Sequence, residues 1–397
     1  MSPSLIIVGA GLAGWTTARE FRKLDTTTPV LLVTADSGDF YAKPSLSNAF
    51  AQGRLPAQLI STPAAKMAET LNVTLLAQSR VEAIDTAAQT LNVRSSAGLQ
   101  TLTYRDLVLA TGAQPIRVPV QGDAADAVVS INSLDDFAAF HARLQAVAEA
   151  PGAPQRQVLI MGAGLIGCEF ANDLAQAGVR VRVVDPGPSP LAALLPPEAS
   201  TTLQAALEAL GVHFDFGCIV RAVDHAEGRL QVTLATGEVV AADAVLSAVG
   251  LRADTALAQA AGLQVDRAIV VNTLLQTSSA HVYALGDSAQ YASAPSLLSA
   301  HGSTLPYVMP IMSAARALAA TLAGTPTALA FALMPVSVKT PALPLVVAAA
   351  QAGLAGRWAA ASDGIWHWLD DAGQPRGFVL AGAQTAQRMA QSKLLAA

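Results

Sequence analysis

The sequence predicts an α/β protein built from two βαβ units in series, with a small α+β domain after them. Two observations support this prediction. Short apolar runs at residues 5–8 and 158–161 each lead directly into a glycine-rich turn, and a segment of helical pattern follows each turn. Apolar runs of this length, bounded by turn residues, are typical of buried strands. A length of 397 residues suits two or three domains.

The first unit continues with a predicted helix over residues 12–24 and a predicted strand over 30–34. Further along, residues 134–149 have the pattern of a surface helix. Ser133 precedes this helix and Asp136 follows three residues later, which is a capping signal for a helix N-terminus. The sequence therefore predicts that this helix begins at residue 134.

The rest of the chain alternates between predicted helices and strands. In chain order the segments are a linker at 151–154, a helix over 165–177, a strand over 179–184, a strand-rich stretch up to residue 249, a strand over 282–285, an irregular loop at 291–307 and a helix over 309–323. Pro310 suits the first turn of the last of these helices. Residues 331–397 are predicted to form the small third domain, with short strands and a final helix.

Composition excludes several classes of protein. Apolar residues make up 52% of the chain and charged residues only 13%, which excludes a disordered chain. A net charge of −5 argues against a nucleic-acid partner. Apolar stretches are broken by Gly, Pro or charge before the ~20 residues that a membrane-spanning helix needs. No basic segment precedes the first apolar run, so no signal peptide is predicted. We expect a cytoplasmic protein without membrane insertion.

Each βαβ unit carries the glycine pattern of a Rossmann-like dinucleotide-binding turn. One glycine makes the tight turn, one lets the backbone approach a pyrophosphate, and one allows close packing of the helix on the strand. The helix N-terminus then faces the phosphates with unpaired N–H groups. The predicted contact residues are Gly9, Ala10, Gly11, Leu12, Ala13 and Gly14 in the first turn, and Gly162, Gly164, Leu165, Ile166 and Gly167 in the second.

Acidic residues near the next strand of each unit are candidates for ribose binding. In the first unit Asp36 lies beyond the usual position and Thr34 lies nearer to it, so Asp36 is either a ribose ligand or a solvated loop acid. In the second unit Asp185 ends the strand, and no Arg follows it to receive a 2′-phosphate, which favours NADH over NADPH. Asp185 is otherwise a turn residue before a proline. Glu169 either favours the helix dipole or orients a nicotinamide amide.

Several further segments carry a family resemblance. Residues 104–115, 247–252 and 283–287, together with the two glycine turns, resemble the FAD-dependent pyridine nucleotide reductases of glutathione reductase-like fold. Within that family, segments at 41–47, 162–173, 307–310 and 336–341 resemble the bacterial rubredoxin–NAD(+) reductases. The resemblance implies a discontinuous FAD-binding domain, an NAD-binding domain and a small third domain. The implied limits are 1–120 with 250–325, then 121–249, then 326–397.

The resemblance also implies roles for individual residues. Lys43 and Pro44 match the segment beside the isoalloxazine ring, Val81 matches the backbone contact to adenine, and Asp287 matches the carboxylate that holds the ribityl chain. Val308 matches the group that faces the flavin pyrimidine edge, and Lys339 matches a lysine from the third domain. The further implied cofactor contacts lie in the shared motifs and are Thr111, Gly112, Gly250 and Gly286.

Lys43 and Lys339 are the predicted catalytic residues. Their positive charge, with the N-terminus of the helix over 309–323, is expected to stabilise the negative charge of reduced flavin. The residues alone fit an ordinary surface lysine at either position, and the resemblance favours the functional reading. One position departs from the related ferredoxin reductases, because Asn48 stands where those proteins usually have a lysine.

The cysteine content limits where electrons go next. The chain has two cysteines, Cys168 and Cys218, and neither lies in the segment 40–50 where disulfide reductases place a cysteine pair beside the flavin. Both are predicted to be small buried apolar residues. A thiol relay is therefore excluded, and a bound flavin must pass electrons directly to an acceptor. The histidines show no metal-ligand spacing, and no metal site is predicted.

The resemblance implies electron transfer from NADH through FAD to rubredoxin, an acidic one-electron iron carrier. A mildly basic third domain suits such a partner, although scattered solvated charges explain the same composition. The basic residues there are Lys339, Arg357, Arg376, Arg388 and Lys393. Two alternatives remain, namely an NADH-dependent ferredoxin reductase of an oxygenase system and a redox-linked flavin-binding protein.

Overall fold

The computed structural model describes residues 4–149, 155–292, 304–350 and 353–396. The predicted linker at 151–154 and most of the predicted loop at 291–307 lie outside these residues. The mixed α/β architecture that the sequence predicts is confirmed.

The first glycine turn belongs to a seven-stranded sheet. The strands before residue 120 are β1 (Ser4–Val8), β2 (Val30–Val33), β3 (Phe40–Tyr41), β4 (Ile60–Thr62), β5 (Thr74–Leu76), β6 (Arg80–Asp85), β7 (Thr90–Ser95), β8 (Gly98–Leu109) and β9 (Ala113–Pro115). Six of them form the order β5-β2-β1-β8-β7-β6. Strand β1 pairs in parallel with both β2 and β8, and its residues 5–7 are fully buried in the interior of the sheet.

The second glycine turn belongs to a separate five-stranded parallel sheet in the order β10-β17-β11-β12-β13, which carries a three-stranded antiparallel sheet, β14-β15-β16. These strands are β10 (Val128–Val129), β11 (Gln157–Met161), β12 (Arg180–Asp185), β13 (His213–Phe216), β14 (Val220–Ala226), β15 (Arg229–Leu234), β16 (Val239–Ala242) and β17 (Ala244–Ser247).

The chain then returns to the first sheet. The returning strands are β18 (Leu251–Ala253), β19 (Ile269–Val271), β20 (Val282–Ala284) and β21 (Ala289–Tyr291). Strand β20 pairs in parallel with β8, and β18 pairs with β9. Residues near 115 and residues near 250 therefore belong to one unit. This topology agrees with a discontinuous first domain, while the limits given above remain a prediction.

The C-terminal region has its own antiparallel sheet in the order β22-β23-β26-β25-β24. Its strands are β22 (Val336–Val338), β23 (Leu345–Ala348), β24 (Arg357–Ser362), β25 (Ile365–Leu369) and β26 (Pro375–Ala381). The predicted short strands and final helix are both present.

The helices are α1 (Leu12–Arg22), α2 (Ala64–Leu71), α3 (Leu134–Glu149), α4 (Leu165–Gln176), α5 (Pro197–Glu208), α6 (Ala256–Ala260), α7 (Val308–Leu322) and α8 (Arg388–Ala396). Helices α1, α3, α4 and α7 begin within one residue of the predicted positions. The capping signal of α3 is confirmed, since the Asp136 N–H donates to Ser133 Oγ at 3.1 Å and the Ser133 N–H donates to Asp136 Oδ2 at 2.9 Å.

Helix α5 was missed, because the prediction treated this part of the chain as strand-rich. The sequence does carry a signal for it. Proline occupies the first position of the helix and Glu198 lies in its first turn, both of which favour a helix N-terminus.

Three regions of the chain share one hydrophobic core. The first region contains strands β1–β9 and β18–β21, the second contains β10–β17, and the third contains β22–β26. Leu46 of the first region, Phe137 and Cys168 of the second, and Val338 and Trp366 of the third belong to the same buried cluster. The three regions therefore pack around a common centre, and the side chains at its rim face one another. In the described ranges, no helix has both the length and the apolar character needed to cross a membrane.

Candidate functional site

The two glycine turns have nearly identical geometry. Gly9 has φ +107° and Gly162 has φ +103°, a backbone conformation that side-chain-bearing residues rarely adopt. A Cβ placed on Gly14 would lie 1.9 Å from the Gly9 carbonyl oxygen, and one on Gly167 would lie 1.9 Å from that of Gly162. Glycine at the first and third positions therefore allows each helix to pack against its strand.

The middle glycines face open space instead. A Cβ on Gly11 or on Gly164 would meet no protein atom within 4 Å. Each is the N-cap of its helix, and neither helix has a side-chain hydrogen bond at that cap. The first N–H groups of α1 and α4 are consequently left for a ligand, and a helix N-terminus of this kind suits phosphate groups. Both turns therefore fit a pyrophosphate.

A single cavity of about 1780 Å³ runs from the first turn to the third region. Most of the predicted cofactor residues line it. They are Gly9, Ala10, Gly11, Leu12, Ala13, Thr34, Asp36, Lys43, Pro44, Val81, Thr111, Gly112, Leu165, Ile166, Glu169, Asp287, Val308 and Lys339. Helix α4 thus brings the start of the second unit to the same cavity as the first turn.

Some predicted residues do not line this cavity, and they are Gly14, Gly162, Gly164, Gly167, Asp185, Gly250 and Gly286. Asp185 instead supports the second turn, because its Oδ2 accepts from the Ala163 N–H at 2.6 Å and its Oδ1 accepts from the Gly187 N–H at 2.6 Å. The turn role and the ribose role that the sequence left open are compatible, since a carboxylate has further lone pairs.

In the first unit Asp36 is exposed at the cavity wall. Its Oδ1 accepts from the Thr34 hydroxyl at 2.6 Å and from the Gly38 N–H at 2.9 Å. One oxygen of the Asp36 carboxylate therefore stabilises the loop between residues 34 and 38. Thr34 and Asp36, the two candidate ribose ligands of the first unit, are hydrogen-bonded to each other, and both line the cavity.

Asp287 supplies a buried polar atom that needs a ligand. Its Oδ1 is buried and has no hydrogen-bond partner among the residues that the structure describes. Burial raises the pKa of Asp287, and Lys43 partly offsets this effect. A buried acceptor without a donor is costly, and a cofactor hydroxyl in the cavity would satisfy it.

Lys43 lies across the cavity in the 3₁₀ segment Lys43–Asn48. The walls of the cavity desolvate the ammonium group and lower its pKa, while Asp287, Asp136 and Asp36 act in the opposite direction. Its Nζ donates to Asn132 Oδ1 at 3.2 Å. The predicted lysine therefore lies at the cavity wall, where Asn132 accepts from its ammonium group.

Ser47, Glu169 and Lys339 meet at the cavity wall, and we call them the junction cluster. The Ser47 hydroxyl donates to Glu169 Oε2 at 2.7 Å, and the Lys339 N–H donates to Glu169 Oε1 at 3.0 Å. Lys339 Nζ forms an ion pair with Glu169 Oε2 and donates to Ser47 Oγ at 3.2 Å. One residue of each region contributes, so the cluster joins all three.

The junction cluster places a lysine next to the segment that contains Asn48. Lys339 of the third region reaches the neighbouring Ser47, because its Nζ donates to Ser47 Oγ at 3.2 Å. Glu169 compensates the charge of Lys339. Of the two predicted catalytic lysines, Lys43 therefore keeps the less compensated charge.

Two more side chains of helix α4, those of Asp173 and Asn172, form hydrogen bonds with neighbouring segments of the chain. Asp173 accepts from the N–H groups of Phe50 and Ala51, both at 2.9 Å. Asn172 Oδ1 accepts from the Ala342 N–H at 3.0 Å. Burial raises the pKa of Asp173, and the backbone hydrogen bonds oppose this. Neither Asp173 nor Asn172 is among the predicted site residues, although their spacing from Glu169 places all three on one face of the helix.

The cysteines are buried, as predicted. Cys168 is 0% exposed and Cys218 is 5% exposed. Burial also raises the pKa of the Cys168 thiol, which disfavours the reactive thiolate. Neither cysteine lines the cavity.

The fold is of the α/β class with two glycine turns at helix N-termini, and both turns fit the pyrophosphate of a dinucleotide. The family comparison gives the particular family. The family model described as pyridine nucleotide-disulphide oxidoreductase matches residues 3–317, and the chain belongs to this family. The model described as rubredoxin binding C-terminal domain matches residues 328–395.

Individual relatives cover nearly the whole chain. The chain is 41% identical to a rubredoxin-NAD(+) reductase of Alcanivorax borkumensis, over 99% of this chain and 98% of that one. It is 40% identical to a rubredoxin-NAD(+) reductase of Acinetobacter baylyi, over 98% and 97%. Among solved structures, the putidaredoxin reductase–putidaredoxin complex superimposes with a TM-score of 0.87 at 24% identity, over 100% and 93%, which establishes likeness of fold.

Proposed function

We propose that the protein is an NADH:rubredoxin oxidoreductase that uses FAD. One observation carries this proposal. Residues of the first glycine turn and residues of helix α4, which follows the second turn, line the same cavity as Lys43 and Lys339. Two dinucleotides bound in these turns would therefore meet at their reactive ends, beside the third region.

The first turn is proposed to hold FAD. Gly9–Gly14 and the α1 N-terminus would bind the pyrophosphate, Val81 would contact the adenine, and Asp287 Oδ1 would accept from the ribityl chain. The flavin supplies two-electron uptake from a nicotinamide and one-electron delivery to an iron centre. Lys43 would stabilise negative charge at the ring by a positive charge already in place.

The second turn is proposed to hold NADH. The α4 N-terminus would bind the pyrophosphate, and Asp185 would accept from a ribose hydroxyl while repelling a 2′-phosphate. Glu169 of helix α4 lines the cavity. Its donors are already Ser47 and Lys339, so its main task is to fix the junction cluster, and a nicotinamide amide would use a remaining lone pair.

The acceptor is proposed to bind at the third region, as the match to a rubredoxin-binding domain supports. Arg388 of this region lines the cavity, and so do Val308 and Met309 at the start of α7. Val308 is 41% exposed and Met309 is 51% exposed. Apolar contact beside a basic side chain suits a small acidic iron protein. Direct transfer is required, because the chain has no cysteine at the cavity wall.

The proposal is tested by the acceptor profile of the FAD-loaded protein with NADH. We expect NADH to bleach the flavin anaerobically and rubredoxin to be reduced faster than a [2Fe–2S] ferredoxin. Faster ferredoxin turnover would favour the ferredoxin reductase alternative. A flavin that stays oxidised for minutes with NADH would favour a binding protein, and a protein that takes up no flavin would refute the proposal. A cytoplasmic location stays a prediction, to be checked by cell fractionation.

A further inference from the structure

We infer that Asn132 is a positioning residue that holds Lys43 in place without neutralising its charge. This inference rests on the proposed function, because Lys43 acts on the flavin. Asn132 lies between β10 and α3, 89 residues from Lys43 in the sequence. No sequence motif of the chain marks it.

Three hydrogen bonds fix the position of Asn132. Its backbone N–H donates to Asp136 Oδ2 at 3.0 Å, which belongs to the cap of α3. Its side-chain Nδ2 donates to the Ala113 carbonyl of β9 at 2.8 Å. Its Oδ1 accepts from Lys43 Nζ at 3.2 Å. The residue therefore connects the start of α3, strand β9 and the lysine-bearing segment.

The two side-chain contacts also fix the orientation of the amide. A carbonyl oxygen accepts only, and an ammonium group donates only. The Nδ2 must therefore face Ala113 and the Oδ1 must face Lys43. A flipped amide would place two donors together and two acceptors together, so the observed orientation is the one that satisfies both partners.

The choice of an amide rather than a carboxylate has an electrostatic consequence. Lys43 forms no ion pair with a carboxylate among the described residues, and Asn132 Oδ1 is a neutral acceptor. Lys339 differs, because Glu169 pairs with it directly. Asn132 thus restrains the Lys43 side chain and leaves its positive charge for a ligand in the cavity.

The test is the midpoint potential of the bound flavin in a double-mutant cycle. Asn132→Leu removes both side-chain hydrogen bonds at similar volume. We expect it to lower the ratio of reduced to oxidised flavin three- to tenfold at a fixed potential, where tenfold equals about 30 mV for a two-electron couple. In a Lys43→Met background, the same substitution should leave the potential unchanged, because its effect passes through the lysine.

Two further variants sharpen the result. Asn132→Asp keeps an acceptor for Lys43 Nζ but loses the donor to Ala113 and pairs the lysine charge, so its potential should fall at least as far as that of Asn132→Leu. Ser133→Ala weakens the α3 cap without touching Lys43 and should leave the potential at the wild-type value. If Asn132→Leu does not load flavin, Asn132→Ser replaces it, because the shorter side chain does not span the two partners.

The outcomes separate this inference from the proposed function. Equal shifts for Asn132→Leu in the wild-type and Lys43→Met backgrounds, or no shift in either, would overturn the positioning role while the yellow protein still reduces rubredoxin. A wild-type protein that binds no flavin would overturn the proposed function first.

Discussion

Replacing Lys339 with methionine removes the cation that faces a buried carboxylate. The Glu169 side chain is 9% exposed and that of Lys339 is 31% exposed. After the substitution Glu169 keeps two neutral donors, the Ser47 hydroxyl and the backbone N–H of residue 339, but has no counter-charge. Breaking a buried ion pair costs about 3–5 kcal/mol. Because solvent reaches Lys339, we expect about 2–3 kcal/mol here.

The double variant Glu169→Gln, Lys339→Met should recover most of this loss. It replaces an ion pair by two neutral side chains of similar shape, which is close to neutral in free energy when no charge is left behind. The coupling energy of the cycle should therefore be at least about 1 kcal/mol. Lys393→Met removes an exposed lysine from the same region and should change stability by less than about 0.5 kcal/mol.

Urea unfolding of the FAD-loaded protein measures these effects. Three of the four tryptophans, Trp358, Trp366 and Trp368, lie in the third region, so their fluorescence reports on the region that carries Lys339. Flavin fluorescence reports release of the cofactor. A Lys339→Met variant as stable as Lys393→Met, or a coupling energy near zero, would show that solvent screens the pair and would refute the reasoning.

Three further predictions follow from the site. Gly11→Ala should fold normally but lose flavin, as absorbance measures. Gly164→Ala should keep flavin but raise the KM for NADH about tenfold or more, as steady-state kinetics measures. In both variants the new Cβ points into open space that phosphate groups would occupy. Asp185→Asn should lower the ratio of kcat/KM for NADH to that for NADPH, since the charge that repels a 2′-phosphate is lost. Lys43→Met should stabilise the flavin-free protein at pH 7 by at most about 1 kcal/mol. The lowered pKa of Lys43 makes the folded state bind its proton less tightly than the unfolded chain does, so the gain, measured by thermal melting, should vanish as pH rises past about 10.4.

Local features of the fold were predictable because their causes are local. The glycine turns need particular residues at fixed spacing, and Ser133 with Asp136 caps a helix over one turn of chain. The boundaries of α1, α4 and α7 fell within two residues of the prediction. Helix α5 lies within the stretch that was predicted to be strand-rich, and its local signal is the proline at its first position.

The sequence by itself determined the two glycine turns, the family resemblance that extends to the third region, and the lack of a cysteine between residues 40 and 50. Tertiary structure alone decided which side chains meet. Glu169 and Lys339 are 170 residues apart, and Lys43 meets Asn132 from another region. Such contacts depend on how three regions pack around one core, and neither periodicity nor spacing along the chain encodes that packing in a readable form.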